Sequence, residues 1–335
     1  MSSKVKWGVL STAQIGLNAV IPAIQGSALS EVVAIASRDE ATARQAAEAA
    51  GIPKAYGSYE ALLADPAIEA IYNPLPNHLH VPWTIRALEA GKHVLCEKPI
   101  ALTAEEAETL KAVSARTGWL VAEAFMVRHH PQWRLAREIA ASGRIGEARA
   151  LQTIFSYYLT DPANIRNQAA IGGGGLYDVG CYAVATARYI FGAEPERVVG
   201  AFDTDPALGT DRMMSGLAEF PGRRHLGFTC ATQLGLRQSV EILGTKGRIA
   251  ISIPFNAPAG RPVTIAVDDG RDLEGGGREV VEIPPCDQYG LQADAFSRAI
   301  RSGEAPEWGL DDAVLNMRVL DAFFRSGRSG QWEAP

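Results

Sequence analysis

Residues 5–16, VKWGVLSTAQIG, contain the segment that decides the fold of this 335-residue chain. Val5–Leu10 is a short apolar run that predicts a buried strand, and an apolar helical pattern begins after Gly16. The turn between them stands where a dinucleotide fold places Gly-x-Gly-x-x-Gly, whose backbone N–H groups face a pyrophosphate. Ser11 and Ala13 replace the first two glycines, so the motif by itself is weak. A phosphate-binding turn is favoured over a plain strand–helix connection mainly because the segment directly follows the first strand.

The first third of the chain alternates apolar runs with Ala-rich amphipathic stretches. Further strands are predicted at residues 32–36, 70–72, 93–96 and 120–122, with helices at 40–50, 81–90 and 104–116. Alternation of this kind is typical of a parallel sheet built from right-handed βαβ units. The sequence therefore predicts a Rossmann dinucleotide-binding domain over residues 1–123.

The pattern changes after residue 123, where strands follow one another without helices. They are predicted at 149–158, 216–220, 225–232, 238–243, 248–253 and 262–267. Such a series predicts a mostly antiparallel open sheet and an α+β second domain over residues 124–290. Helices are predicted at 292–301 and 311–324, and the sequence leaves open which domain they pack on. The fold class is α/β, with the Rossmann domain first and the α+β domain second.

Composition excludes several functions. A net charge of −6 argues against a nucleic-acid-binding protein, which normally carries a concentrated basic face. No segment approaches the roughly 20 apolar residues that cross a bilayer, so no membrane association is expected. The first strand begins so early that no signal peptide is expected either, which indicates a cytoplasmic protein. The scattered residues Cys96, Cys181, Cys230 and Cys286 indicate reduced thiols and no metal site.

The end of the second predicted strand bears on the choice of cofactor. An NAD site usually places Asp or Glu there to accept from the ribose 2′-hydroxyl. This chain has Ser37-Arg38-Asp39. Arg38 can pair with a 2′-phosphate and Ser37 can donate to it, whereas Asp39 is better explained as a helix N-cap. NADP(H) is the predicted cofactor, with NAD(H) and a solvated Arg38 as the alternatives.

Two segments carry candidate catalytic residues. Lys98 follows the strand at 93–96, and the carboxyl ends of parallel strands are where such sheets bind ligands. The second segment is the glycine run 172–175 with the helix that follows it, on which Asp178 and Tyr182 lie four residues apart and share a face. The alternative is an ordinary surface lysine, a first-turn aspartate and a half-buried tyrosine.

Four motifs, taken together, resemble the glucose–fructose oxidoreductase/inositol dehydrogenase (Gfo/Idh/MocA) family. They are the turn at residues 11–16, the segment NPLPNHLH at 73–80, Glu97-Lys98-Pro99, and GGGxxxDxGxY ending at Tyr182. Their order and spacing match over nearly the whole chain. Tyrosine at position 182 is similar to the branch with glucose–fructose oxidoreductase, bacterial xylose dehydrogenases and dimeric dihydrodiol dehydrogenase.

The resemblance implies a Rossmann domain completed by C-terminal helices within residues 291–335, and a second sheet used in dimer or tetramer contacts of a homo-oligomer. It implies that Lys98 and Tyr182 are the catalytic pair, with Asp178 beside them. The cofactor would contact Ser11, Thr12, Ala13, Gln14, Ile15, Ser37, Arg38, Pro74, Leu75, Asn77, His80, Glu97, Lys98 and Arg128. Beside Asp178 and Tyr182, the further candidate substrate contacts are Asn164, Arg166 and Tyr289, which are expected to come from the second domain.

The expected reaction moves a hydride between the nicotinamide and a sugar carbon, for which a base must take the hydroxyl proton. A tyrosine titrates near pH 10, and a nearby lysine cation favours its phenolate. An aldose dehydrogenase, an aldose–aldose transhydrogenase with tightly bound NADP(H), and a dihydrodiol dehydrogenase all fit. A non-catalytic NADP(H) sensor belongs to a different class of function. It would be expected to lack Lys98 or Tyr182, and both are present. NAD-assisted glycoside cleavage is a third class, which would favour NAD, whereas Ser37 and Arg38 favour NADP(H).

Overall fold

The computed structural model describes residues 3–335; Met1 and Ser2, which fall within the predicted domain 1–123, lie outside the described residues. The chain divides into two compact units. The first unit runs to Met126 and includes Tyr289–Met317, and the second comprises Val127–Gln288 and Arg318–Pro335. The last part of the chain is thus shared, because residues 289–317 join the first unit and residues 318–335 join the second.

The first unit contains a six-stranded sheet in which every pair of neighbours is parallel. In chain order its strands are β1 (Val5–Leu10), β2 (Ser30–Ala36), β3 (Lys54–Tyr56), β4 (Ala70–Asn73), β5 (His93–Cys96) and β6 (Val121–Glu123). The spatial order β3-β2-β1-β4-β5-β6 is that of a Rossmann fold, and its chain reversal falls between β1 and β4. The fold class predicted from the sequence is confirmed.

Helices of the first unit connect these strands and close its core. They are α1 (Ile21–Gln25), which continues a π-helical turn at Gly16–Val20, α2 (Glu40–Ala50), α3 (Tyr59–Leu63), α4 (His80–Glu89), α5 (Ala104–Thr117) and α8 (Gln288–Ser302). The core joins β1, β2 and β4 to α8, from which Ala293 and Phe296 insert. Trp7 and Phe296 lie with ring centroids 5.8 Å apart. Burial of these large apolar side chains is why α8 packs on this sheet.

The second unit contains an eight-stranded sheet in the order β14-β13-β12-β11-β7-β10-β9-β8. Its strands are β7 (Ala148–Tyr158), β8 (Arg197–Thr204), β9 (Asp211–Phe220), β10 (Arg224–Ala231), β11 (Gln233–Gly244), β12 (Arg248–Ile251), β13 (Val263–Asp268) and β14 (Arg278–Ile283). All pairs are antiparallel except β7 with β10. The mostly antiparallel second sheet predicted from the sequence is confirmed.

Helices α6 (Pro131–Ala141) and α7 (Cys181–Phe191) belong to the second unit, and α9 (Leu310–Ser329) begins in the first unit and ends in the second. All eleven residues of α7 are buried. A π-helical turn, Leu176–Gly180, leads directly into α7. The site residues Asp178 and Tyr182 therefore lie on either side of the junction between a wide turn and a regular helix.

Candidate functional site

The turn after β1 places a serine in a backbone conformation that is usual for glycine. Ser11, which stands in place of the first glycine, has φ 83°, in the region that favours glycine. Its hydroxyl oxygen accepts from the N–H of Ala13 at 3.3 Å, which supports this backbone locally. The helical segment after this turn begins at Gln14 and continues as the π-helical turn Gly16–Val20. A helix start directly after the first strand of a Rossmann sheet is where such folds bind a nucleotide pyrophosphate.

The predicted 2′-phosphate residues lie at the end of β2. The Ser37 N–H donates to the carbonyl of Tyr56 at 3.0 Å, and the Asp39 side chain caps α2 by accepting from the Thr42 N–H at 2.8 Å. Hydrogen bonds from the Thr42 hydroxyl and the Thr42 N–H hold the pKa of Asp39 below its usual value. Arg38 is exposed. Asp39 is thus used as a helix cap, as the sequence predicted, and a contact between Arg38 and a cofactor stays a prediction.

The turn after β5, which carries Lys98, is held in place by hydrogen bonds to the buried side chains of Tyr72 and Glu123. Glu97 Oε1 accepts from the Tyr72 hydroxyl at 2.6 Å, and burial raises the pKa of Tyr72 well above its ordinary value. The Lys98–Pro99 peptide is cis. One residue further on, the N–H of Ile100 donates to Glu123 Oε1 at 2.7 Å. Sequence reasoning missed Glu123, whose only signal is an acidic residue at the end of the buried strand β6.

His80, a predicted cofactor contact, bridges two backbone carbonyls. Its side chain is 1% exposed, Nδ1 lies 2.7 Å from the carbonyl oxygen of Pro99, and Nε2 lies 2.7 Å from that of Leu75. Burial lowers its pKa to about 4, so the neutral ring can donate to only one of the two carbonyls at a time. His80 thus links the loop after β4 to the turn after β5.

Other predicted cofactor residues fall in different surroundings. Leu75 is buried, whereas Asn77 is partly exposed. Arg128 is 3% exposed and belongs to the second unit. The remaining predicted cofactor positions are the partly exposed or exposed residues Thr12, Gln14 and Ile15 of the first turn, and the buried Pro74. Their contacts with a cofactor stay predictions.

In the second unit, the glycine run closes a tight turn before Asp178. Gly174 has φ 123°, and a Cβ placed on it would lie 1.8 Å from Asp211 Oδ1. A Cβ on Gly173 would meet the carbonyl oxygen of Arg166 at 2.6 Å. Glycine is required at both positions, because a side chain would overlap backbone atoms at Gly173 and the Asp211 carboxylate at Gly174.

Three polar side chains form a cluster at this turn, which we call the polar cluster: Tyr157, Arg166 and Asp178. Asp178 Oδ2 accepts from the Tyr157 hydroxyl at 2.5 Å and from Arg166 Nε at 3.1 Å. The Asp178 charge raises the pKa of Arg166, and burial raises the pKa of Tyr157 well above its ordinary value. Sequence reasoning named Arg166 and Asp178 but missed Tyr157, because a tyrosine near the end of a strand gives no distinguishing signal.

Tyr182 lies four residues after Asp178, with its ring among aromatic side chains. The ring centroids of Phe155 and Phe255 are 5.7 and 5.4 Å from that of Tyr182. The side chain is only 6% exposed. Rigid apolar packing of this kind fixes the direction of the phenol group, which a proton-transferring residue needs.

The two remaining predicted substrate residues lie in different units. Asn164 Oδ1 accepts from the Arg166 N–H at 3.1 Å and so supports the loop that carries the cluster arginine. Tyr289 was expected in the second domain, but it lies in the first unit, where it packs against the core. The physical reason is the burial of Phe296 on the same helix, α8, which takes Tyr289 with it.

No three His, Cys, Asp or Glu side chains within residues 3–335 come together as a metal site requires. In the same residues, no helix has both the length and the hydropathy to cross a membrane.

Comparison with known proteins agrees with this geometry. Residues 5–125 match "Oxidoreductase family, NAD-binding Rossmann fold", and residues 133–250 match "GFO/IDH/MocA C-terminal domain". Uncharacterized oxidoreductase ORF334 of Rhizobium meliloti is 50% identical over 98% of both chains. The D-xylose 1-dehydrogenase (NADP(+)) 2 of Haloferax volcanii is 39% identical over 97% of this chain and 98% of its own.

Among solved structures, KijD10, a 3-ketoreductase from Actinomadura kijaniata in complex with NADP and TDP-benzene, has a TM-score of 0.91. It is 31% identical and covers 97% of this chain and 98% of its own. The chain therefore belongs to the Gfo/Idh/MocA family of oxidoreductases, as its motifs predicted. It is an oxidoreductase with an NAD(P)-binding Rossmann domain and sugar-related homologues.

Proposed function

We propose that this protein is an NADP(H)-dependent oxidoreductase that transfers a hydride at an aldose carbon. The observation that carries the proposal is the polar cluster one helical turn before Tyr182. A sugar presents several hydroxyl groups, each able to donate and accept, and Asp178 and Arg166 supply an acceptor and donors. The 39% identity to an NADP(+)-dependent D-xylose 1-dehydrogenase over nearly the whole chain supports an aldose as the substrate.

The proposed chemistry assigns a role to each residue. When bound, the nicotinamide supplies the acceptor or donor of the hydride. Tyr182 Oη takes the proton of the sugar hydroxyl during oxidation and returns it during reduction. The Lys98 ammonium group favours the phenolate form of Tyr182 electrostatically. Asp178 orients the sugar by accepting from a neighbouring hydroxyl.

NADP(H) is proposed as the cofactor because the end of β2 offers Arg38 and Ser37 to a 2′-phosphate. A relative named for NADP(+) and a solved structure complexed with NADP are consistent with this choice. Whether the cofactor is retained between turnovers distinguishes an aldose dehydrogenase from an aldose–aldose transhydrogenase.

Arg38→Ala is expected to raise the KM for NADP by about 10- to 100-fold, because it removes a charged hydrogen bond to the 2′-phosphate. The KM for NAD should change little. Arg44→Ala is the matched control, since Arg44 is an exposed arginine of the next helix that pairs with Glu40. Steady-state kinetics with both cofactors measure the effect, and an unchanged preference in Arg38→Ala contradicts the assignment.

The proposed function is tested by denaturing the purified protein, measuring released NADP(H), and then assaying D-xylose and D-glucose with and without added NADP or NAD. Cofactor-free protein that reduces NADP with either sugar supports an aldose dehydrogenase. Retained cofactor, with one sugar oxidised while another is reduced, supports the transhydrogenase. Binding of NADP(H) without turnover of any aldose or diol points to the sensor. A protein that neither binds NADP(H) nor turns over any of these substrates contradicts the proposal.

We also propose a homo-oligomer, a dimer or tetramer, in the cytoplasm. The family resemblance supports the oligomer, and the sequence composition supports the location. Sedimentation velocity at micromolar concentration tests the first, and fractionation of the source cells tests the second.

A further inference from the structure

Asp211 is a buried carboxylate beneath the glycine turn, and the proposed chemistry does not use it. It is the first residue of β9 and is 7% exposed. Its Oδ2 accepts from the N–H of Leu176 at 2.6 Å, and the N–H of Gly175 also hydrogen-bonds to the carboxylate. These N–H groups belong to the start of the helical segment, where the helix itself provides no acceptor.

The turn that Asp211 contacts joins two members of the polar cluster. Gly174 lies so close to the Asp211 carboxylate that a Cβ on this glycine would overlap Oδ1. The Gly174 N–H donates to the carbonyl of Arg166 at 2.9 Å, and the Gly174 carbonyl accepts from the N–H of Asp178 at 3.1 Å. A displacement of the turn therefore displaces the backbones of Arg166 and Asp178 together.

We propose that Asp211 is a positioning residue. In its carboxylate form Asp211 holds the glycine turn in place, and the turn in turn holds Asp178 and Tyr182 in their working arrangement. In its neutral, protonated form Asp211 holds the glycine turn less firmly. A carboxylate accepts from both N–H groups, whereas a carboxyl group keeps one oxygen as an O–H donor. The inference rests on the proposed function, in which Asp178 and Tyr182 act on the sugar.

The surroundings of Asp211 place this change near neutral pH. The ionisable groups that face it include Asp178 on the π-helical turn, Tyr157 on β7 and Cys230 on β10. Burial raises the pKa of Asp211 to about 7, the backbone N–H groups oppose this shift, and the Asp178 charge adds to it. The turn is therefore fastened above about pH 7 and loosened below it.

The test compares Asp211→Asn with the unaltered protein in kcat/KM for aldose oxidation between pH 6 and pH 8. Asparagine has nearly the size of the acid but only one acceptor atom, so it mimics the protonated form. The ratio of unaltered to variant kcat/KM should rise from near one at pH 6 to about tenfold at pH 8, the effect of one lost charged hydrogen bond. The ionisation of Tyr182 is common to both proteins and cancels in the ratio.

Two controls separate positioning from a general structural effect. Asp203→Asn removes a partly exposed carboxylate on the adjacent strand β8, where it pairs with Arg212, and should leave the pH profile unchanged. The NADPH dissociation constant, measured by fluorescence, should be equal in all three proteins, because the proposed 2′-phosphate residues lie in the first unit. A ratio that does not change with pH overturns the inference.

A second readout needs no enzymatic activity. The amide resonances of Gly175 and Leu176 in the unaltered protein should titrate together with a midpoint near pH 7. If no aldose reacts, only the proposed function is contradicted, since the amide titration would still report on Asp211. If the amide resonances do not titrate, the inference is overturned.

If the Asp211→Asn variant does not fold, the unaltered enzyme provides the test. Its kcat/KM must show an inflection at the pH of the amide titration, and the absence of that inflection overturns the inference.

Discussion

Tyr182→Phe is expected to lower kcat for aldose oxidation by about 10²- to 10⁴-fold, the usual contribution of a general acid–base group. Phenylalanine keeps the ring, so the packing against Phe155 and Phe255 remains while the proton acceptor is lost. NADPH binding should be unchanged. Turnover numbers from initial rates, together with NADPH fluorescence titrations, measure the two effects separately.

Tyr189→Phe is the matched control for that substitution. Tyr189 is a buried tyrosine on the same helix, α7, and its ring lies beneath the Arg137 guanidinium, 4.7 Å from the ring centroid. The kcat of this variant should stay within about twofold of the unaltered value, because Tyr189 takes no part in the proposed proton transfer. Near-normal turnover in Tyr182→Phe would show that another group moves the proton.

Gly174→Ala is expected to lower the free energy of unfolding by more than about 3 kcal/mol, or to prevent folding. Two costs combine: φ 123° is a conformation that alanine avoids, and the new Cβ would lie 1.8 Å from Asp211 Oδ1. Because the turn must shift, the contact between Arg166 and Asp178 should also be lost. Chemical denaturation and circular dichroism measure the change.

Gly192→Ala separates these two costs. Gly192 ends α7 with φ 59°, and nothing lies within 4 Å of a Cβ placed on it. Only the backbone term applies there, so the expected loss is about 1–2 kcal/mol. Equal losses in the two variants would show that the overlap with Asp211 is relieved cheaply, which is incompatible with a fastened turn.

Local pattern predicted the elements that carry a continuous apolar run or clear signals at their ends, such as the N-cap Asp39 and Gly51 that bound the helix Glu40–Ala50. The strands at Val5–Leu10 and His93–Cys96 and the helix at Glu40–Ala50 were placed at their observed bounds. Two strands of the second sheet, β8 and β14, were missed. Both are edge strands with few buried side chains, so they lack the apolar alternation that a sequence pattern detects.

The candidate site likewise has parts that a local sequence pattern predicts and parts that only the tertiary structure reveals. The sequence by itself determined the family and the Rossmann fold, and it predicted Lys98, Asp178 and Tyr182 as site residues, because both depend on short motifs with fixed local spacing. The tertiary structure alone decided that His80 bridges the carbonyls of Leu75 and Pro99, and that Asp211 accepts from the N–H of Leu176, 35 residues before it in the chain. Such contacts depend on strand register and on which buried polar group finds a partner, and neither is encoded in a local pattern.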